Sequence, residues 1–207
     1  MANIVQTYPT LTRIMFVQMY YPADLDTMMT TTSEPLAQDE GTVLTFDDIK
    51  DEWLRRNSMP PGYGNLTWES IGPVLATDPK FANKSGYYTA LTSGEIVTFN
   101  QVPTTYIKSS LKEQHFQLKS FYAASVRHID LQLTISGHAN YTRYPLFNET
   151  FVLQPTEKSF IQLNDTTNAF VDKIMFRCDG GREYKPFSNG GAQQFSMDNI
   201  RIKFKLT

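Results

Sequence analysis

The sequence contains one cysteine, three histidines and no long run of lysine or arginine, and each scarcity excludes a class of protein. A single cysteine excludes an internal disulfide framework and any zinc site built on several cysteines. The 19 basic and 21 acidic residues give a formal net charge of -2, so the basic surface that nucleic acid requires is missing. Three histidines leave little material for a catalytic metal centre.

Long apolar runs are also missing. The stretch 14–21 near the start contains Gln18 and is followed by Pro22, and it is far shorter than the roughly 20 residues that cross a bilayer. We therefore expect no membrane insertion. Arg13 is the only early base, so a secretory signal peptide is not evident in this chain.

What the chain does have is enough apolar surface, 41% of its 207 residues, to bury a core. Residues 1–21 read as an apolar arm, and residues 22–42 are rich in Thr, Asp, Glu and Pro without any apolar period, which is typical of a linker. Short alternating runs begin at Val43. We therefore expect an N-terminal arm and linker over residues 1–42 and one folded domain over residues 43–207.

The pattern in the folded domain is that of many short strands. Apolar and polar residues alternate strictly over 129–135 and again over 200–205, as in strands with one buried face. A hairpin is predicted at Ser93-Gly94, joining strands 87–92 and 95–100, and only residues 47–56 predict a helix, capped by Asp47 or Asp48. Short turn-bounded strands predict an all-β fold, an antiparallel β-sandwich of the jelly-roll type. Further strands are expected in the segments 43–46, 116–121, 150–153, 159–163, 170–176 and 195–204.

Five Asn-x-Ser/Thr triplets are present, more than chance predicts for this composition. Their number favours a chain that passes through a eukaryotic secretory route and carries glycans there, although a threonine-rich β protein also collects such triplets by accident. We therefore expect a secreted or extracellular location. The acceptor residues are Asn65, Asn83, Asn140, Asn148 and Asn164.

Enzyme signatures are absent from the sequence: there is no G-x-S-x-G, no H-E-x-x-H and no glycine-rich phosphate loop before a helix. His115 and His128 are isolated at the starts of predicted strands and His138 at the end of one, where a surface role is commoner than a catalytic one. The acidic residues include no pair that the sequence singles out for glycoside hydrolysis. We expect a protein that is not an enzyme, with an enzyme acting on glycans as the weaker alternative.

Two segments, Leu44-Thr45-Phe46-Asp47-Asp48 followed by the stretch 60–68, and the stretch 195–202, carry a family resemblance. Together they resemble a group of secreted bacterial and fungal proteins with Thr-Phe-Asp-Asp, Pro-x-Gly-Tyr-x-x-Leu-x-Trp and Met-Asp-Asn motifs. The resemblance covers residues 43–205 and implies a jelly-roll domain similar to galactose-binding and carbohydrate-binding modules. The charged segment 50–56 departs from the family pattern.

In such sandwiches the first and last strands are neighbours, which predicts that Asp47 and Asp48 lie near Asp198. Adjacent carboxylates repel unless a cation lies between them, and Ca²⁺ prefers carboxylate and carbonyl oxygens. These three residues are therefore candidate ligands of a structural calcium. The alternative is that Asp48 caps a helix while the other two accept hydrogen bonds from backbone amides.

Aromatic residues and the cysteine supply the remaining candidates. Tyr63 and Trp68 are candidates for a sugar-stacking platform. For Trp68 the alternative is core packing, which the alternation of Leu66 and Trp68 favours. Cys178 precedes a glycine turn, where we expect it to be exposed and available for an intermolecular disulfide, with a buried role as the alternative.

Two functions are weighed. The first is a non-catalytic structural protein that assembles with copies of itself through its N-terminal arm, which adds a strand to a neighbour's sheet, and through Cys178. The second is a module that recognises a glycan or a cell-surface polysaccharide. The sequence favours assembly, because a soluble sugar-binding module needs neither the arm nor the cysteine.

Overall fold

The computed structural model describes residues 41–112, 114–139, 142–163, 169–187 and 191–205, and nearly all of its regular structure is antiparallel β-sheet. The described residues belong to the unit Gln38–Thr207, and the unit Met1–Ala37 lies outside them. The strands in chain order are β1 (Thr42–Leu44), β2 (Leu66–Glu69), β3 (Ile71–Leu75), β4 (Ile96–Asn100), β5 (Thr104–Ser109), β6 (Phe116–Ser125), β7 (His128–Ile129), β8 (Leu131–His138), β9 (Phe147–Leu153), β10 (Ser159–Gln162), β11 (Lys173–Asp179), β12 (Arg182–Glu183) and β13 (Phe195–Phe204).

These strands form two large sheets and one short ribbon. The six-stranded sheet has the order β10-β6-β13-β4-β3, with β1 pairing beside β13. The five-stranded sheet has the order β2-β5-β11-β8-β9, and β7 pairs with β12. Among the strands of the described residues, only the pairs β3-β4 and β8-β9 are consecutive along the chain within one sheet, so every other connection passes from one sheet to a different one. The predicted all-β sandwich is confirmed.

The core lies between the two sheets. In β8 the residues Leu131, Leu133 and Ile135 are fully buried, while the polar residues between them face outward. Phe121 of the six-stranded sheet and Phe176 of the five-stranded sheet meet edge to face, with ring centroids 6.0 Å apart. Because both sheets place apolar side chains on one face, closing them together removes those side chains from water, at roughly 1.5–3 kcal/mol for each fully buried large residue.

The helices are short: α1 spans Asp51–Arg56 and α2 spans Gly86–Ala90, with single 3₁₀ turns at Tyr63–Asn65 and Lys185–Phe187. None of the helices in the described ranges is long and apolar enough to cross a membrane. Acidic residues in the first turn of α1 and basic residues in its last turn match the helix dipole.

Two local predictions are wrong. The helix begins at Asp51, and no side chain caps it, so neither Asp47 nor Asp48 acts as its cap. The strand predicted at 87–92 is instead the helix α2, whose Tyr87 packs with Phe99 on the outer side of the six-stranded sheet. Burial against that sheet, a tertiary contact, decides the local conformation here.

Candidate functional site

The first and last described strands are neighbours, as predicted. Leu44 of β1 lies opposite Ile200 of β13. Immediately after β1, Phe46 adopts a φ of 68° and turns the chain, so that Asp47 follows at the same end of the sheet as Asp198. Asp47 and Asp198 therefore both lie beside the 92–95 loop, which connects α2 to β4.

Asp198 is fully buried and holds this loop. Its Oδ2 accepts hydrogen bonds from the backbone amides of Thr92 (2.7 Å) and Ser93 (3.0 Å), and its Oδ1 accepts one from the amide of Asn199 (2.7 Å). Burial raises the pKa of Asp198 above its ordinary value; the three amide hydrogen bonds lower it, and the charge of Asp47 raises it further. The carboxylate ties β13 to the 92–95 loop.

Asp47 holds the same loop from its exposed side. Its Oδ1 accepts a hydrogen bond from the amide of Glu95 at 3.0 Å, and its Oδ2 accepts one from the hydroxyl of Ser93 at 3.2 Å. Gly94 lies against this carboxylate with a φ of +49°, and a Cβ there would come within 1.9 Å of Asp47 Oδ1. The backbone hydrogen bonds that the sequence gave as the alternative to calcium ligation for Asp47 and Asp198 are therefore present.

Asp48 is directed elsewhere. Its Oδ1 accepts a hydrogen bond of 2.6 Å from the hydroxyl of Tyr63, and burial together with this carboxylate raises the pKa of Tyr63. The described residues contain no group of three or more histidine, cysteine, aspartate or glutamate side chains arranged to hold a metal ion. Calcium ligation by Asp47, Asp48 and Asp198 stays a prediction.

Tyr63 and Trp68 pack against the main core together with Phe46. The Phe46 ring stacks on Tyr63 and meets Trp68 edge to face, both with centroids 5.8 Å apart, and the indole N–H of Trp68 donates to the Tyr63 carbonyl at 2.9 Å. These contacts match the packing role that the sequence gave as the alternative for Trp68, and Tyr63 shares them. A sugar platform at the two residues stays a prediction.

The expectation that Cys178 is exposed is wrong. The side chain is 3% exposed, because it continues the inward alternation of Ile174 and Phe176 along β11. Burial raises the pKa of the thiol to about 12. An intermolecular disulfide at this position requires the sheet to open, so the structure supports the buried role that was the alternative.

Three of the five glycosylation acceptors lie within the described residues, and all three are exposed. They are Asn65, Asn83 and Asn148. Exposure is what glycan attachment requires. Asn140 and Asn164 lie outside the described residues.

The sequence did not identify a hollow of about 520 Å³ on the outer face of the six-stranded sheet. Phe160 of β10 and Tyr122 of β6 are a directly opposed cross-strand pair, with ring centroids 5.0 Å apart. Phe160 is 54% exposed, which is unusual for a residue of this size in a strand. Side chains able to hydrogen-bond surround the two rings: Ser120, Gln162, Asn199 and Arg201.

The 92–95 loop borders this hollow, because Thr92 is one of its lining residues. The loop is held from both sides: Asp198 accepts from its amides, and the Lys158 ammonium donates to the Leu91 carbonyl while lying 5.9 Å from the centre of the Tyr122 ring. Two of the three residues that the sequence proposed as metal ligands, Asp47 and Asp198, thus position one wall of an aromatic hollow.

Comparison with known proteins finds no matching family model and no matching curated protein. Among solved structures, the chain is similar to TmCBM61 in complex with β-1,4-galactotriose (8% identity, 78% of this chain and 99% of that one, TM-score 0.39). It is also similar to a DUF4465 family protein from Bacteroides ovatus (7%, 70% and 80%, 0.43) and to the K2 cleaved adhesin domain of Lys-gingipain (13%, 78% and 97%, 0.40). At these identities and TM-scores, none of the three determines what this chain binds.

Proposed function

We propose that the domain is a non-catalytic carbohydrate-binding module whose glycan lies in the hollow at Tyr122 and Phe160. The observation that carries the proposal is the exposed Phe160 ring and the partly buried Tyr122 ring, held side by side by the β6–β10 register in a concave surface lined with polar groups. Ligand sites have this composition, an apolar floor with a few convergent hydrogen-bonding groups.

The chemistry of the two surfaces is complementary. One face of a pyranose ring presents C–H groups that pack on an aromatic ring, while its hydroxyls need donors and acceptors at the edge. Tyr122 and Phe160 supply the apolar floor, and the amide of Gln162 supplies both a donor and an acceptor. The Asn199 oxygen accepts a hydrogen bond from the Ser93 hydroxyl at 2.8 Å, so this side chain offers its amide N–H groups. The rings belong to paired strands, so little ordering is needed when the glycan binds.

The test is affinity electrophoresis and calorimetry against a panel of soluble neutral and acidic polysaccharides. Any glycan retained by the wild type is then measured with Tyr122→Ala and Phe160→Ala, each expected to weaken binding about tenfold or more, or about 1.4 kcal/mol. Tyr144→Ala is the matched control, because Tyr144 is an aromatic residue that is 69% exposed and does not line the hollow. No retention at high protein concentration, or equal losses in all three variants, would refute the proposal.

Self-assembly, which the sequence favoured, rests on the N-terminal arm, on Cys178 and on a near-neutral net charge that does little to oppose association. The arm lies outside the described residues, and Cys178 is buried. Assembly stays a prediction, tested by sedimentation of the full chain against a variant lacking residues 1–42. An unchanged sedimentation profile would remove it.

A further inference from the structure

A second cleft, of about 610 Å³, lies at one end of the five-stranded sheet and shares no lining residue with the Tyr122–Phe160 hollow. Its walls come from the end of β5, the end of β8, the start of β11 and the loop that follows β5. Its volume is within the roughly 300–1,000 Å³ of small-ligand sites.

The cleft is lined by a row of nitrogen-bearing side chains that the sheet register creates. Lys173 of β11 lies directly opposite Lys108 of β5 on one side and directly opposite His138 of β8 on the other. A further base, Lys112, reaches the cleft from the loop. Like charges directly opposite one another in a sheet destabilise it, so this row is costly for the fold alone.

Acidic groups offset only part of this charge. Glu69 pairs with Lys108 at 2.5 Å, from outside the lining. The one acidic residue of the lining, Asp172, is only 13% exposed and contacts His115. The ammonium of Lys173 lies 5.0 Å from the centre of the Tyr106 ring, which holds it without neutralising it.

His138 adds a neutral hydrogen-bonding group to the row. Burial and the charge of Lys173 both lower its pKa, and its Nε2 lies 3.0 Å from the Ser136 hydroxyl. At neutral pH the cleft therefore combines ammonium groups with an uncharged imidazole.

We propose that this cleft binds an oxyanion, a carboxylate or phosphate carried by a ligand of about the size of an acidic monosaccharide. Ammonium groups that converge on one cavity form charge-assisted hydrogen bonds with such an oxyanion. A bound anion also reduces the repulsion between Lys108 and Lys173, so the row of lysines that destabilises the sheet would serve to bind the ligand.

The probes are inorganic phosphate, glucuronate and glucose, titrated by calorimetry and by amide chemical shifts. Phosphate, glucuronate or both are expected to bind, more weakly as salt rises, and glucose is not. Binding of phosphate alone assigns the cleft to a simple oxyanion, and binding of glucuronate alone to an acidic sugar; either supports the proposal. Absence of binding by both anions overturns it, as do amide shifts at the residues of this cleft that glucose causes as strongly as the anions do.

The double variant Lys112→Gln/Lys173→Gln is expected to weaken anion binding about tenfold or more, while the ligand-free protein keeps or gains thermal stability because the repulsive row is broken. Lys112→Gln alone, in an exposed loop, tests the same point if the double variant fails to fold. Lys185→Gln, an exposed lysine outside the cleft, is the matched control. Equal affinity in wild type and variants overturns the proposal, and Tyr122→Ala, which removes only the glycan platform, should leave anion binding unchanged.

Discussion

Asp198 Oδ2 lies 2.7 Å from the backbone nitrogen of Thr92, and this contact joins the last strand to the loop that walls the aromatic hollow. The carboxylate is fully buried and accepts three amide hydrogen bonds in total. A motif that the sequence suggested as a metal ligand therefore has a structural role that needs no metal.

The first prediction concerns that carboxylate. Asp198→Ala leaves three buried or partly buried amides without their acceptor and should lower the free energy of unfolding by about 2–3 kcal/mol. Asp198→Asn keeps one acceptor oxygen and should cost about half as much. Urea denaturation measures both, with the exposed Glu157→Ala as the control, expected within about 0.5 kcal/mol of wild type. A loss of that small size in Asp198→Ala would contradict the role given to the carboxylate.

The second prediction is a pH dependence. The folded-state pKa of Asp198 is raised above the ordinary 3.8, so the folded protein holds this proton more tightly than the unfolded chain does. The stability it contributes is fully present below about pH 3.8 and is lost as pH rises through the folded-state pKa. The destabilisation caused by Asp198→Asn should therefore be largest at acid pH and shrink toward neutrality. Denaturation curves of both proteins from acid to neutral pH measure this, and a difference that grows with pH would contradict it.

The third prediction tests calcium. If Asp47, Asp48 and Asp198 ligate Ca²⁺, calcium at a hundredfold excess over its Kd should stabilise the protein by about 2.7 kcal/mol, and a chelator should reverse the effect. Asp47→Asn should abolish the response. Thermal melts with calcium, with magnesium and with chelator decide the point. Identical melting temperatures in all three would leave hydrogen bonding as the role of these carboxylates.

The fourth prediction concerns the buried thiol. With the pKa of Cys178 raised to about 12, almost no thiolate exists at pH 8, and the sheet covers the sulfur. The native protein should react with a thiol reagent only as fast as it unfolds, and fully in denaturant. Non-reducing electrophoresis should show monomer. Rapid labelling of the native protein, or a disulfide-linked dimer, would contradict the buried position.

The alternation of apolar and polar residues was enough to predict β8 and β13, because every second side chain of a half-buried strand points to the core. The same rule, applied along Ile174, Phe176 and Cys178, would have placed the cysteine inside; the neighbouring glycine turn misled the expectation.

Pairing between strands is a different kind of information. Tyr122 and Phe160 are far apart along the chain, and only the β6–β10 register brings their rings together.

The basic cleft also depends on strand pairing that the sequence does not show. Lys108 and Lys173 are far apart along the chain, and only the β5–β11 register places them opposite one another. Strand β10 did carry one local signal. Phe160 and Ile161 are adjacent, so they point to opposite faces of the sheet, and because Ile161 is buried, Phe160 faces outward. A large apolar side chain on the outward-facing side of its strand is thus the feature of the sequence that points to the aromatic hollow.

The fifth prediction separates backbone strain from contact at Gly94. An alanine there must adopt a φ of +49° and displace the Asp47 carboxylate, whereas Gly62→Ala meets a φ of +72° with no atom within 4 Å of the new Cβ. The control should therefore cost only the left-handed conformation, about 1–2 kcal/mol. Gly94→Ala should cost about 1 kcal/mol more, because the hydrogen bond from the Glu95 amide is lost.

The two glycine variants also differ in their expected effect on binding. Because the 92–95 loop walls the hollow, Gly94→Ala should weaken the affinity for any glycan retained by the wild type, and Gly62→Ala should not. Urea denaturation and affinity electrophoresis measure the two effects separately. Equal destabilisation would show that Asp47 does not hold the loop. Unequal destabilisation with equal glycan affinity would show that the loop is held but does not shape the hollow.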